Sequence, residues 1–240
     1  MKLPRVVLLA AQSARSQAYV QALAAAGLHP AAVILLGDDP VLSPAAPASQ
    51  WRGLALPDLG ESVAATCARA GIPLVRCAAT DVNAEATVEA LAEAKADIVI
   101  FSGAGGQIVS SRVLQLGARF LHMHSGWLPQ YRGSTTVYYA LLNGDAPAVT
   151  ALFLDASIDT GPVIERRAYP TPPRGMDLDR VYDTAIRADL LVRLMRRYAE
   201  SGTLVASEEQ RPEDGATYYV IHPVLKHVAL LGLRPAEGTA

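Results

Sequence analysis

Apolar residues recur along the first half of the chain in short runs separated by stretches of helical composition. Arg5 to Ala10 is a β-type run, Ser13 to Ala25 is alanine-rich and helical with Gly27 as its stop, and Ala31 to Gly37 is a second apolar run. Together they read as a β-α-β unit. From Asp38 to Gly60 the chain is rich in Pro, Asp and Ser, the composition of a surface excursion. The alternation then resumes with a helix over Glu61 to Ala70, a strand over Pro73 to Cys77, a helix over Asn83 to Ala94 and a strand over Asp97 to Phe101. Apolar strands alternating with helices predict an α/β fold, a Rossmann-like, doubly wound, mostly parallel sheet with both faces covered.

The second half continues with a short helix around Ser111 to Leu116, a strand over Arg119 to Met123 and a helix over Ser134 to Leu142. Strands over Val149 to Leu154 and Val163 to Ala168 follow. Leu178, Val181, Tyr182, Ala185, Leu191, Val192, Met195 and Tyr198 then mark the buried face of a long helix. Arg187, Arg193, Arg196 and Arg197 fall largely off that face and read as its solvated side. Tyr218 to His227 is the last expected ordered element, before a disordered-looking Pro235 to Ala240. Residues 1–200 are expected to form the catalytic domain and 201–240 a C-terminal extension packing on it.

Composition narrows the function classes. With 240 residues, 51% hydrophobic and 18% charged, the chain can bury a sizeable core. A net charge of -2 offers no broad attraction to phosphate backbones or anionic membranes, so a small-molecule partner is expected, with no nucleic acid and no membrane. The two cysteines, Cys67 and Cys77, flank a helix-to-strand turn at Gly71-Ile72-Pro73 and read as buried reduced thiols. The apolar run after Arg5 is shorter than a signal-peptide core, and no stretch approaches the roughly 18 apolar residues of a membrane span. The cytoplasm is the expected location.

Candidate chemistry sits in two loops. Phe120 to Met123 runs into His124-Ser125-Gly126-Trp127-Leu128-Pro129-Gln130-Tyr131-Arg132-Gly133. Residues i and i+2 of a strand share a side, so His122 and His124 can face one cavity if Met123 points away. A later strand delivers Asp155 and Asp159 into a second loop. The turn Gly103-Ala104-Gly105-Gly106-Gln107-Ile108-Val109 begins like a dinucleotide fingerprint but has Ile108 in place of its third glycine, so it carries little weight for NAD. A glycine-rich turn at the carboxyl end of a strand is nonetheless where ligands approach backbone in open α/β folds. Trp127 can stack on a planar ligand or pack as core or lid.

These segments resemble the folate-dependent formyltransferase family, whose signature reads Phe-(Leu/Ile)-Asn-x-His-Pro-Ser-Leu-Leu-Pro-x-Tyr-Arg-Gly, then Ala-Leu-Leu-Asn-Gly-Asp, then Asp-x-x-x-Asp-x-Gly. The chain has Leu128 to Gly133, Ala140-Leu141-Leu142-Asn143-Gly144-Asp145 and Asp155 to Gly161 in that order. The match is close over about residues 100 to 165 and extends by layout back to residue 5. The resemblance implies a formyltransferase-type fold and 10-formyltetrahydrofolate as formyl donor. It places His124 and Asp159 as the catalytic histidine and aspartate, and Gly105, Gly106, Gln107, Ile108 and Val109 with Ala156, Ser157, Ile158 and Gly161 as the folate pocket. It implies no metal.

The chain departs from the family at two places. His122, the third candidate catalytic residue, stands where the family has the asparagine that donates to the formyl oxygen, and Ser125-Gly126-Trp127 replaces Pro-Ser-Leu. Too little chain follows Asp159 for the barrel domain of methionyl-tRNA formyltransferases. A small primary amine, such as an amino sugar, is therefore the expected acceptor.

Two other readings stay open. His122, His124 and Asp159 are also a ligand set for zinc or non-haem iron in a metal-dependent enzyme. A non-catalytic folate- or metabolite-binding homologue is the other. Tyr218, Tyr219, His222, Lys226 and His227 are expected either to reach the site, to meet a partner or to pack the C-terminus. Val228, Leu230 and Leu231 suit a homodimer interface or a cover for the core equally well.

Overall fold

The structure is a computed structural model that describes residues 1–38 and 49–235. Its elements are β1 (Lys2–Ala10), α1 (Ala14–Ala25), β2 (His29–Leu36), β3 (Ser49–Trp51), β4 (Leu54–Leu56), α2 (Val63–Ala70), β5 (Leu74–Cys77), α3 (Glu85–Ala94) and β6 (Ile98–Ser102). They continue as α4 (Ser111–Leu114), β7 (Arg119–Ser125), β8 (Tyr131–Gly133), α5 (Thr136–Leu142), β9 (Ala148–Phe153), β10 (Val163–Ala168), α6 (Asp183–Ser201), β11 (Ala216–Tyr218) and α7 (Pro223–Leu231). Serine side chains start three helices by accepting backbone N–H groups, Ser13 for α1, Ser62 for α2 and Ser110 for α4. Gly71 and Gly202 stop α2 and α6 in the left-handed conformation.

Seven strands form one sheet in the order β10-β9-β7-β6-β1-β2-β5. Pairings from β5 to β7 are parallel, while β9 runs antiparallel to both β7 and β10. The expected mostly parallel, doubly wound sheet is therefore present. Alternation along each strand feeds two cores. Leu8, Leu121 and Met123 join Tyr19, Leu190 and Leu191 of α1 and α6 on one face. Val7, Leu9, Val99 and Phe120 join Val88, Leu91 and Val113 of α3 and α4 on the other. Cys67 and Cys77 are buried and free, one in each core, and burial pushes the Cys67 thiol up to about 11.

The chain adds β2 and β5 on one side of β1 and then crosses to β6 and β7 on the other. The carboxyl ends of β1 and β6 thus form the switch point at which open α/β sheets leave a crevice. β6 ends at Ser102 there, and the glycine turn leaves from it.

Several expectations need correction. The first strand begins at Lys2, three residues before the expected Arg5, and β7 extends to Ser125. The Asp38 to Gly60 excursion holds the β3–β4 hairpin, whose Leu54 is buried and whose Trp51 meets Tyr182 edge to face at 6.0 Å. Residues 39–48 of that excursion, and the expected disorder of residues 236–240, lie outside the described residues. A small parallel sheet of β8 and β11 was not apparent in the periodicity, because each strand has only three residues. The long helix opens with a π-helical turn, Leu178–Tyr182, before α6. Among the described residues no helix is long and apolar enough to cross a membrane.

Candidate active site

Strand alternation sets the site. Met123 points into the α1/α6 core and is fully buried, so His122 and His124 project to the opposite side, with ring centroids 6.4 Å apart. His124 is only 3% exposed, and its Nε2 lies 2.6 Å from the Tyr131 carbonyl oxygen. A carbonyl only accepts, so Nε2 carries a proton and donates. The other nitrogen, Nδ1, lies 3.4 Å from Oδ2 of Asp159. Gly126 makes this close approach achievable, because a Cβ there would fall 2.8 Å from both His124 Nε2 and the Tyr131 oxygen.

Asp159 is delivered by the loop after β9. Asp155 organises that loop, accepting from the Ser157 N–H at 3.0 Å and the Thr160 hydroxyl at 2.9 Å. Asp159 takes a left-handed φ of +54°, which costs a non-glycine residue roughly 1 kcal/mol or more. Its carboxylate is fixed by the Gly133 N–H at 2.9 Å and its carbonyl by Gln210 Nε2 at 3.0 Å. Gly161 lets the loop close, since a Cβ there would overlap the Phe153 carbonyl. The spacing Asp155, Asp159, Gly161 thus divides into a loop organiser, a presented carboxylate and a close contact.

His122 is partly buried beside Phe101, and its Nδ1 is buried without a hydrogen-bond partner. Burial, then Arg15 and Arg187, then His124 hold its pKa well below the ordinary 6.5. The ring is neutral at neutral pH. Below about pH 6.5 the unfolded chain therefore takes up a proton that the folded ring refuses, and stability falls as pH drops toward the lower folded value. Urea unfolding of His122→Asn at a series of pH values below 6.5 should show a shallower loss than the parent, by up to about 1.4 kcal/mol per pH unit. Parallel slopes would show that the ring is protonated in the fold.

Arg15 and Arg187 are the charges that periodicity missed. Arg15, in the first turn of α1, donates to Ser102 Oγ at 3.2 Å and to the Gly103 carbonyl. Arg187 corrects the expectation of a solvated arginine face: its side chain is 14% exposed, donates to the Met123 carbonyl at 2.9 Å and pairs with Asp183 at 2.8 Å. Arg193, Arg196 and Arg197 are exposed as expected. The available signal was position, since Arg187 sits between the buried Ile186 and Ala188 of α6.

These groups line a cavity of about 560 Å³. Gly105, Gly106, Gln107, Ile108 and Val109 form one wall, and Ser157, Ile158 and Asp159 another, whereas Ala156 and Gly161 stand off the lining. Gln107 braces the turn by donating to the Thr80 carbonyl at 2.9 Å. Thr217 to Val220 close the remaining side, with the Tyr218 ring 5.4 Å from Tyr131 and 4.6 Å from Tyr139. Of the other tail candidates, His222 caps α7, Lys226 pairs with Asp179 and His227 is exposed, all off the cavity lining. Trp127 is exposed outside the cavity lining, so it serves neither as core nor as a stacking wall there. Ligand-type atoms of His122, His124 and Asp159 lie within 4.8 Å of one another.

Comparison with known proteins gives this arrangement its relatives. The family model described as formyl transferase matches residues 5–189. A methionyl-tRNA formyltransferase of Moorella thermoacetica is 31% identical over 187 residues, covering 76% of this chain and 55% of that protein. The chain spans about half the length of that relative and about a third of a similar one from Roseiflexus sp.. Among solved structures, a sugar N-formyltransferase of Shewanella sp. superposes with a TM-score of 0.58 at 16% identity, over 97% of this chain and 89% of that one. HypX of Aquifex aeolicus in complex with tetrahydrofolic acid superposes with a TM-score of 0.57 at 16% identity, over 94% of this chain and 33% of that one. The profile match spans the sheet, both histidines and the Asp159 loop, and the chain belongs to the formyl transferase family.

Proposed function

We propose that this protein transfers a formyl group from 10-formyltetrahydrofolate to a small primary amine, such as an amino sugar. In this reading residues 1–200 carry the catalytic machinery, and the extension 201–240 closes the acceptor side through Thr217 to Val220. The observation that carries the proposal is the buried His124–Asp159 pair, 3.4 Å apart at a cavity wall, in a chain of this family.

The residues present suit the donor. The cavity volume falls within the range usual for small-molecule sites. Gly106 takes a left-handed φ of +81°, while Ile108 and Ile158 offer exposed apolar side chains in the cavity lining to a planar heterocycle. Tyr218 and Tyr219 line the remaining side, where the acceptor is placed.

The donor would supply an electrophilic formyl carbon: the acceptor nitrogen bonds to it and gives up a proton, while the bond from that carbon to the folate nitrogen breaks and the folate nitrogen takes up a proton. The protein's task is protons and charge. Asp159, fixed by the Gly133 N–H, orients the His124 ring and favours positive charge on it as the amine proton departs. Tyr131 anchors the ring from behind through Nε2. His122, neutral and on the same side of β7, offers an N–H to negative charge growing on the formyl oxygen, the task of the family's asparagine. Arg15 and Arg187 add positive potential around that oxygen and line the same cavity.

A net charge of -2 weighs against a polyanionic acceptor. Incubating the protein with donor carrying a labelled formyl carbon, and with a panel of nucleotide-linked amino sugars, simpler amines and methionyl-tRNA, tests the reading by mass spectrometry. Label on a small amine is the expected result. Label on methionyl-tRNA alone would overturn the acceptor class, and donor binding without transfer to any amine would mark a non-catalytic homologue.

A further inference from the structure

We propose that His122, His124 and Asp159 also form a binding site for a divalent transition-metal ion of the zinc or cobalt type, and that this ion and formyl transfer exclude each other. The asparagine of the family signature has no imidazole to offer, so this ligand set belongs to the present chain.

The distances suit such an ion. His124 Nδ1 and Asp159 Oδ2 are 3.4 Å apart, close to the roughly 3.4 Å edge of a tetrahedron with metal–ligand bonds of about 2.1 Å. One ligand-type atom each from His122, His124 and Asp159 lies within 4.8 Å of the other two. Three protein ligands on a cavity wall leave a fourth position open to water or substrate, the arrangement of reactive rather than structural zinc sites. Two imidazoles and one carboxylate favour zinc, cobalt or nickel over magnesium and calcium, which prefer oxygen donors.

Hydrogen bonding prepares the ligands. Because Nε2 of His124 donates to Tyr131, Nδ1 is the ring nitrogen that faces the Asp159 carboxylate. Two acceptors at that separation repel unless a proton or a cation lies between them. Metal-bound histidines characteristically give their second nitrogen to a backbone carbonyl, as His124 does here. Asp159 is held in turn by the Gly133 N–H. His122 Nδ1 is buried and has no hydrogen-bond partner to give up. Arg15 and Arg187 oppose a cation and limit its affinity, the second less so because Asp183 is paired with it.

The exclusion follows from the same nitrogen. Once Nδ1 of His124 is coordinated it can no longer carry the proton released by the amine, and an ion bridging it to Asp159 removes the carboxylate's influence as well. This half rests on the formyl-transfer reading, whereas metal binding does not.

Tag-free, metal-stripped full-length protein titrated with Co2+ alone should develop visible absorption bands of a four- or five-coordinate ion, saturating near one equivalent. His122→Asn and Asp159→Asn should each weaken binding at least tenfold while keeping the parent circular dichroism spectrum. Absent bands, or parental affinity in both folded variants, would overturn the site whatever the catalytic result. With donor and an accepted amine, one equivalent of Zn2+ should suppress parent turnover at least tenfold and a chelator should restore it. Cobalt binding with unchanged turnover in saturating Zn2+ would overturn the exclusion and leave the site standing.

Discussion

His124→Ala is expected to lower kcat for formyl transfer by about a thousandfold, the scale of a lost general acid–base group. The fold should survive. The substitution leaves the Tyr131 carbonyl without one partner, a cost of about 1–3 kcal/mol in a chain whose two cores are otherwise intact. Asp159→Asn should give a loss of similar order by another route. Its amide oxygen can still accept from the Gly133 N–H, so the loop keeps its anchor, while the negative charge facing His124 is gone. Steady-state kinetics with the accepted amine, alongside thermal unfolding, check both. Near-parental kcat in the two folded variants would remove His124 and Asp159 from the chemistry.

The second large effect is expected at Gly126, a residue outside the cavity lining. Gly126→Ala places a Cβ 2.8 Å from His124 Nε2, 2.8 Å from the Tyr131 oxygen and 3.1 Å from Tyr131 Cβ. One of the two partners must retreat. If the imidazole moves, it loses the hydrogen bond that sets its tautomer; if β8 moves, the Gly133 N–H that holds Asp159 moves with it. Misplacement on the ångström scale costs about a hundredfold in rate, and the overpacking about 1–3 kcal/mol of stability. Donor binding at the Gly105 to Val109 wall should change far less, because residue 126 is not among the residues that line the cavity with that turn. Kinetics paired with titration of a donor analogue would show a kcat loss without a matching affinity loss. Equal losses in both would mean that the substitution collapses the cavity rather than displacing the His124–Asp159 pair.

What could be read in advance was what depends on period and local composition. β10 matches its expected bounds, most other strands and helices fall within a few residues of theirs, and the strand alternation that turns Met123 inward is what brings His122 and His124 together. The pairing of His124 with Asp159 came from the resemblance rather than from spacing, since no local rule joins residues so far apart in sequence. Arg187 was misplaced because helical periodicity separates apolar from polar faces, whereas this guanidinium is buried by satisfying Asp183 and the Met123 carbonyl. Arg15 escaped notice because its role depends on the switch point of the sheet, a property of strand order. The β8–β11 pairing is likewise long-range, and Gly133 and Gly215 permit it by admitting the Tyr218 and Pro129 carbonyls where a Cβ would stand.

The replacement of the family's Pro-Ser-Leu by Ser125-Gly126-Trp127 has a structural reading as well. Ser125 is buried and donates to Asp183, the partner of Arg187, so the loop is tied to the same charges that surround His122. The departures at 122 and 125 therefore fall on one connected set of side chains.

The most direct test of the account is calorimetric titration of metal-stripped protein with a non-transferable 10-formyltetrahydrofolate analogue, repeated after saturation with Zn2+. Micromolar binding near one equivalent is expected for the metal-free form, retained in His124→Ala because that variant loses chemistry and keeps the cavity. No binding to the metal-free protein, with binding only in the presence of the ion or not at all, would contradict it.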